Sequence, residues 1–200
     1  AIEYFPLREG DRIGHGLALG LEPREWAQRA GRLPMVREER LFDLVWKWAW
    51  YGREGGAPDR ERQQLLEHEI AEHTAAIFDE RLTPYDLELL VHDLFTLAQR
   101  GTLAYAARFP NGPSPFRVGA EAPDRLGYLC RYLQNPTTFA RGRDIVWIDP
   151  SAEREELAYL QNELRRKVGL RGITVEVNPT SNLLIGDLGD LTAHPLWRLR

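Results

Sequence analysis

An α/β fold is predicted from three observations: a glycine-punctuated apolar strand near the amino end, a helix-turn-strand unit near the carboxyl end, and a long helical stretch between them. Arg12 to Leu19 is short and apolar, with Gly14 and Gly16 inside it, the pattern of a buried strand running into a loop where backbone approaches something closely. Far along the chain, Ser151 reads as the cap of a helix that runs to about Val168. The acidic residues of its first turns favour the positive end of the helix dipole. Gly169 and Gly172 end it, and Ile173-Thr174-Val175-Glu176-Val177 follows as a β-branched strand stopped by Pro179. Helix, short turn and buried strand make the repeating unit of a parallel α/β barrel.

Between these ends the pattern turns helical. Glu22-Pro23-Arg24-Glu25 offers proline in a first turn, and Val36 to Trp50 carries Leu41, Leu44, Val45 and Trp48 at helical spacing, broadened by Phe42, Trp46 and Trp50. Gly52 to Pro58 reads as a turn. Asp59 to Glu80 follows as a long helix with Leu65, Leu66, Ile70, Ala71 and Ile77 as its inner face. Thr83-Pro84 is a cap followed by proline at the first helical position, which opens a helix through Gln99. Pro110 to Pro115 is a turn-rich break, Asp124 to Leu133 a short helix, and Asp144 to Ile148 a strand or extended edge. The expected domains are 1–21 as barrel strand and loop, 22–149 as a helical insertion, and 150–200 as barrel helix, strand and following helix.

Composition bounds the class. With 43% hydrophobic and 28% charged residues the chain can bury a core. Its net charge of −4, with basic residues scattered instead of gathered in one stripe, gives no direct nucleic-acid signal. Cys130 is the single cysteine, which excludes an internal disulfide and a cysteine metal cluster and fits a reducing, cytoplasmic setting. No apolar run reaches the ~18 residues of a membrane span, so no membrane partner is expected.

Asp11-Arg12-Ile13-Gly14-His15-Gly16 and Ile173-Thr174-Val175-Glu176-Val177-Asn178-Pro179-Thr180-Ser181-Asn182, followed by His194-Pro195-Leu196, resemble the adenosine and AMP deaminase branch of the metal-dependent amidohydrolases. The resemblance covers about 40 residues in two blocks, in the order of strands six and seven of that family's (β/α)8 TIM barrel. It implies a partial barrel segment of two parallel strands with a large, mostly α-helical insertion between them. A whole barrel needs about 250 residues, and the 200 residues here include no His-x-His pair, no His-Ala-Gly-Glu and no Thr-Asp-Asp segment. The chain is therefore expected to be an internal piece of a longer protein, with exposed apolar edges that make it associate or fold poorly alone. The resemblance implies a zinc cofactor whose ligands lie outside this chain, a purine nucleoside or nucleotide substrate, and hydrolysis of the 6-amino group. An insertion of this size is similar in kind to those of long-insert adenosine deaminases of bacterial antiviral systems, without a residue-level match. The alternative is a catalytically inactive barrel remnant whose helical insertion serves homo-oligomer assembly or regulation.

His15 is the leading catalytic candidate. Between two glycines at a strand's carboxyl end it can aim its ring at substrate with little obstruction, and its neutral form suits proton handling near pH 7. The resemblance makes it a catalytic residue outside the zinc ligand set, orienting and stabilising the hydroxide that attacks the purine ring. Glu176, a carboxylate in an apolar strand, is expected to be desolvated and to need a partner. That partner is His15 in one reading and a backbone amide or a helix arginine in the other. Asn182 is the other residue assigned to the substrate side, although Ser181 and Asn182 also suit a turn after the strand.

Other patterns carry less. His68 and His73 are five positions apart, about 140° around a helix, and cannot share a metal as an i, i+4 pair can. They are expected on a charged, solvated face, His92 in packing or at an interface, and His194-Pro195 at the start of a helix. Trp46, Trp48 and Trp50, with Tyr51, are expected in a core or subunit contact, because alternating positions on a helix do not line one face.

Overall fold

The computed structural model describes residues 7–14, 16–53, 60–90, 124–178 and 194–199. These residues are mostly helical, with a small parallel two-stranded sheet, and the chain divides into two compact units. The first comprises residues 1–33 and 147–200, the second residues 34–146. No described helix is long and apolar enough to cross a membrane.

In the first unit, β1 (Arg12–Ile13) pairs in parallel with β4 (Thr174–Val175), with Arg12 opposite Thr174 and Ile13 opposite Val175. This adjacency is the one expected from the two blocks, across more than 150 positions. Backbone bonds extend it past the strand ends: Thr174 N donates to Asp11 O at 2.9 Å, Glu176 N to Ile13 O at 2.9 Å, and Gly16 N to Glu176 O at 3.4 Å. The entry to the pair is set by two glycines in the left-handed region, Gly10 (φ 86°) and Gly172 (φ 62°), joined by a Gly10 N to Gly172 O bond of 3.1 Å.

The expected strand-like run to Leu19 is cut short. Leu17–Gly20 forms a one-turn helix, α1, because Leu17 and Gly20, three apart, bury together where strand alternation would place them on opposite faces. α2 (Pro23–Ala30) has proline at its start and a Glu22 side chain that accepts from Arg24 N, and it packs on the long carboxyl-terminal helix within the same unit. That helix, α8 (Arg154–Leu170), is preceded by a 3-10 turn, Pro150–Glu153. Asp149, not Ser151, is the cap: its carboxylate accepts from both the Ser151 amide and hydroxyl. Those bonds hold the Asp149 pKa below its ordinary value.

The second unit is built on α3 (Arg37–Arg53) and α4 (Arg60–Phe78). The sequence missed β2 (Leu33–Val36), a four-residue strand with proline inside it, which pairs with β3 (Ile145–Ile148) in a second two-stranded sheet. Residues 84–90 are helical (α5). Their start is the expected cap: Asp86 N donates to Thr83 Oγ1 at 3.2 Å and the Thr83 hydroxyl donates back to Asp86 at 2.5 Å. The expected continuation to Gln99 lies outside the described residues. α6 (Asp124–Gln134) is followed by a helix not anticipated, α7 (Pro136–Gly142), capped by Asn135, whose side chain accepts from Thr137 N and Thr138 N.

Leu41, Leu44 and Val45 of α3 meet Leu66, Ile70, Ile77 and Phe78 of α4, with Leu82 and Leu87 completing the core. Leu65 departs from the expected inner face at 53% exposure, because the buried stripe runs through Leu66, Ile70, Thr74 and Ile77. Of the three tryptophans, Trp46 and Trp50 do share a face at i, i+4, with ring centroids 5.3 Å apart. Trp48 points elsewhere and donates to Glu67.

Candidate functional site

The carboxyl end of the β1–β4 pair is where the two blocks meet. Gly16 sits so close to β4 that a Cβ there would lie 2.3 Å from Val175 Cγ1, so this position is glycine for lack of room. Gly14 has nothing within 4 Å of a Cβ. The close approach expected of this segment is thus made at Gly16. His15 between them lies outside the described residues, as do Ser181, Asn182 and His92.

Strand alternation gives β4 two faces of opposite character. Ile173 is buried and Val175 and Val177 are half-buried, whereas Thr174, Glu176 and Asn178 are exposed. On the exposed face Arg12 Nη1 donates to Glu176 Oε1 at 2.7 Å, with the two side chains 70% and 51% exposed. The expected desolvation of Glu176 is therefore corrected: its side chain projects from the polar face while its apolar strand neighbours turn the other way. Its partner is an arginine on the adjacent strand, two residues upstream of Gly14, an alternative that sequence reasoning had placed on a helix. The readable signal was the i, i+2 placement of Arg12 and Gly14 on one strand opposite Thr174 and Glu176 on the other.

His194 is 3% exposed, and its Nδ1 accepts from Leu196 N at 3.0 Å, capping the 3-10 turn Pro195–Arg198. The expected helix start is there, and the histidine itself is the cap. A neutral ring that accepts at Nδ1 carries its proton on Nε2, which is buried without a hydrogen-bond partner among the described residues.

His68 and His73 separate as their spacing requires. His68 is exposed beside Glu72 at 3.3 Å. His73 departs from the solvated-face expectation: it is half-buried against Arg37 and Arg40, and burial first, then those two cations, lower its pKa to about 4. Arg40 is buried and paired with Glu69 at 3.1 Å. Among the described residues, no group of three or more histidine, cysteine, aspartate or glutamate side chains is placed to hold a metal ion. The chain matches no protein-family model and no curated protein.

Proposed function

We propose that this chain supplies two adjacent strands of the catalytic barrel of a zinc-dependent purine deaminase, with His15 as its catalytic contribution. The observation that carries the reading is the parallel pairing of Arg12-Ile13 with Thr174-Val175. Two blocks that resemble consecutive strands of one enzyme family, separated by more than 150 residues, lie side by side in the order and direction the resemblance requires. The polar face of Arg12, Thr174 and Glu176 adds support, since alternate residues of barrel strands point away from the surrounding helices into the barrel.

The described residues do not form a zinc site, and the reading places the metal's ligands outside this chain. When bound in the complete enzyme, zinc would supply a nucleophile at neutral pH. In the overall reaction water adds at the purine carbon bearing the 6-amino group and ammonia leaves. This chain's part is positional: Gly14 and Gly16 leave the backbone around His15 without side chains, and the imidazole holds or moves a proton as charge develops on the ring.

In the full-length protein, His15→Ala is expected to lower adenosine-to-inosine turnover by roughly 10²–10³, the cost of removing one transition-state stabiliser, while bound zinc stays nearly unchanged. Unchanged turnover would remove the catalytic assignment, and loss of zinc would place His15 among the ligands. A second reading, a catalytically inactive remnant whose helical part serves assembly or regulation, is favoured by the second unit's own hydrophobic core. Absence of both zinc and turnover from the wild-type protein would select it.

A further inference from the structure

On the apolar side of β4 the first unit holds a cavity of about 560 Å³, within the range of small-molecule sites. It faces away from Arg12 and Glu176, because Ile173, Val175 and Val177 alternate with Thr174 and Glu176 along the strand. Leu19 of α1, Val168 of α8, Leu196 of the last 3-10 turn and Leu199 just after it complete apolar walls. Asn162, Arg165 and Arg166 of α8 also line it.

The two arginines differ. Arg166 is neutralised by Glu163 at 2.9 Å. Among the described residues Arg165 gives one Nη2 hydrogen bond, to the Arg198 carbonyl, and pairs with no carboxylate. A guanidinium presents several donors in a planar fork matched to a carboxylate, and a single carbonyl bond leaves part of that fork unused. Apolar walls beside a cation that no described carboxylate compensates, in a chain of net charge −4, complement a ligand with an aliphatic body and one anionic end.

We propose that this cavity is a binding site for a small amphipathic carboxylate, whose chain lies against Val168, Val175 and Leu196 and whose carboxylate meets Arg165. The site does not depend on the deaminase reading, since it lies on the other face of the strand and uses none of the residues assigned to chemistry. It does abut that region through one side chain: Val175 lines the cavity and also packs on Gly16.

The test is calorimetric titration of the full chain with decanoate, decanol and decyltrimethylammonium, with methyl NMR shifts of valine and leucine as the map of the site. Saturable decanoate binding that shifts Val168, Val175 and Leu196 is expected, together with weaker binding of decanol and still weaker binding of the cation. Arg165→Met should weaken decanoate about tenfold or more, the usual cost of losing a charge-assisted hydrogen bond, and leave decanol unchanged. Val175→Ile, which adds a methyl group to the wall, should weaken all binding, and thermal unfolding would verify that both variants fold. Absence of saturable binding, equal binding of the anion and the cation, or an Arg165→Met protein that binds decanoate as before would each overturn the proposal.

Discussion

In the first unit β1 finds its partner at β4, at the other end of the chain, whereas in the second the main contact is between α3 and α4, neighbours in sequence. The order in the two cases comes from different physics. The strand pair is held by a few backbone bonds and by a glycine that lets two backbones approach, so its tolerance to added volume is small. The helix pair is held by a stripe of buried aliphatic side chains, and its polar groups are accommodated around that stripe. Sensitivity to sequence should therefore be concentrated at one position in the first unit and distributed in the second.

The comparison breaks most directly at Gly16. A side chain there must displace Val175, against which even a Cβ would stand at 2.3 Å, whereas Gly14 offers open space. Gly16→Val is expected to cost about 1–3 kcal/mol, the range for over-packing a filled site, and Gly14→Ala to cost well under half as much. Denaturant midpoints of the two variants measure the difference. Equal losses would mean that the closeness at Gly16 is not what holds the pair.

The same contrast explains what was legible in the sequence. The strand pairing was readable because two short blocks resemble consecutive strands of one barrel in order, although composition alone gave only short apolar runs. Helices α3 and α4 were readable from apolar spacing, and Thr83 from the chemistry of a cap. What was missed lies where local signals compete with packing. β2 contains Pro34, α1 is a single turn that strand alternation could equally describe, and the Asp149 cap sits one 3-10 turn ahead of the helix that Ser151 was expected to begin. At the site, Gly16 and Glu176 were singled out, but the exposure of Glu176 depended on which strand face the helices cover. No count of apolar neighbours in one strand reveals that.

The second unit can be probed through His73. Its pKa of about 4 in the folded chain lies below the ordinary 6.5, chiefly through burial and then through Arg37 and Arg40, with Glu72 opposing. The lowered value means that, between these pKa values, the unfolded chain binds the proton and the folded chain does not. Stability contributed by neutral His73 is therefore complete above about pH 6.5 and declines as pH falls toward 4. Screened by partial exposure, the loss should be on the order of 1–2 kcal/mol. In His73→Gln the part of the stability loss between pH 6.5 and 4 that belongs to this group should disappear, as urea unfolding at a series of pH values would report. An identical pH profile in the variant would mean that His73 is not held neutral by its surroundings.

The smallest effect on stability is expected at the Arg12–Glu176 pair, where turnover is the more sensitive readout. Both side chains are at least half exposed, so a double-mutant cycle of Arg12→Ala and Glu176→Gln should return a coupling of only about 0.2–1 kcal/mol. That is too little for the pair to be what registers β1 on β4, a task the backbone bonds and Gly16 already perform. Arg12 uses Glu176 Oε1, and the Glu176 carbonyl accepts from Gly16 N at the end of the sheet. If Glu176 helps orient that imidazole in the complete enzyme, Glu176→Gln should lower turnover about tenfold, as is usual for losing a group that orients a reacting one, at nearly unchanged stability. Arg12→Ala should lower turnover less, because it leaves the carboxylate in place. Equal and small losses of stability in both variants, with turnover untouched, would instead reduce the pair to a cross-strand contact and leave His15 as the chain's sole catalytic assignment.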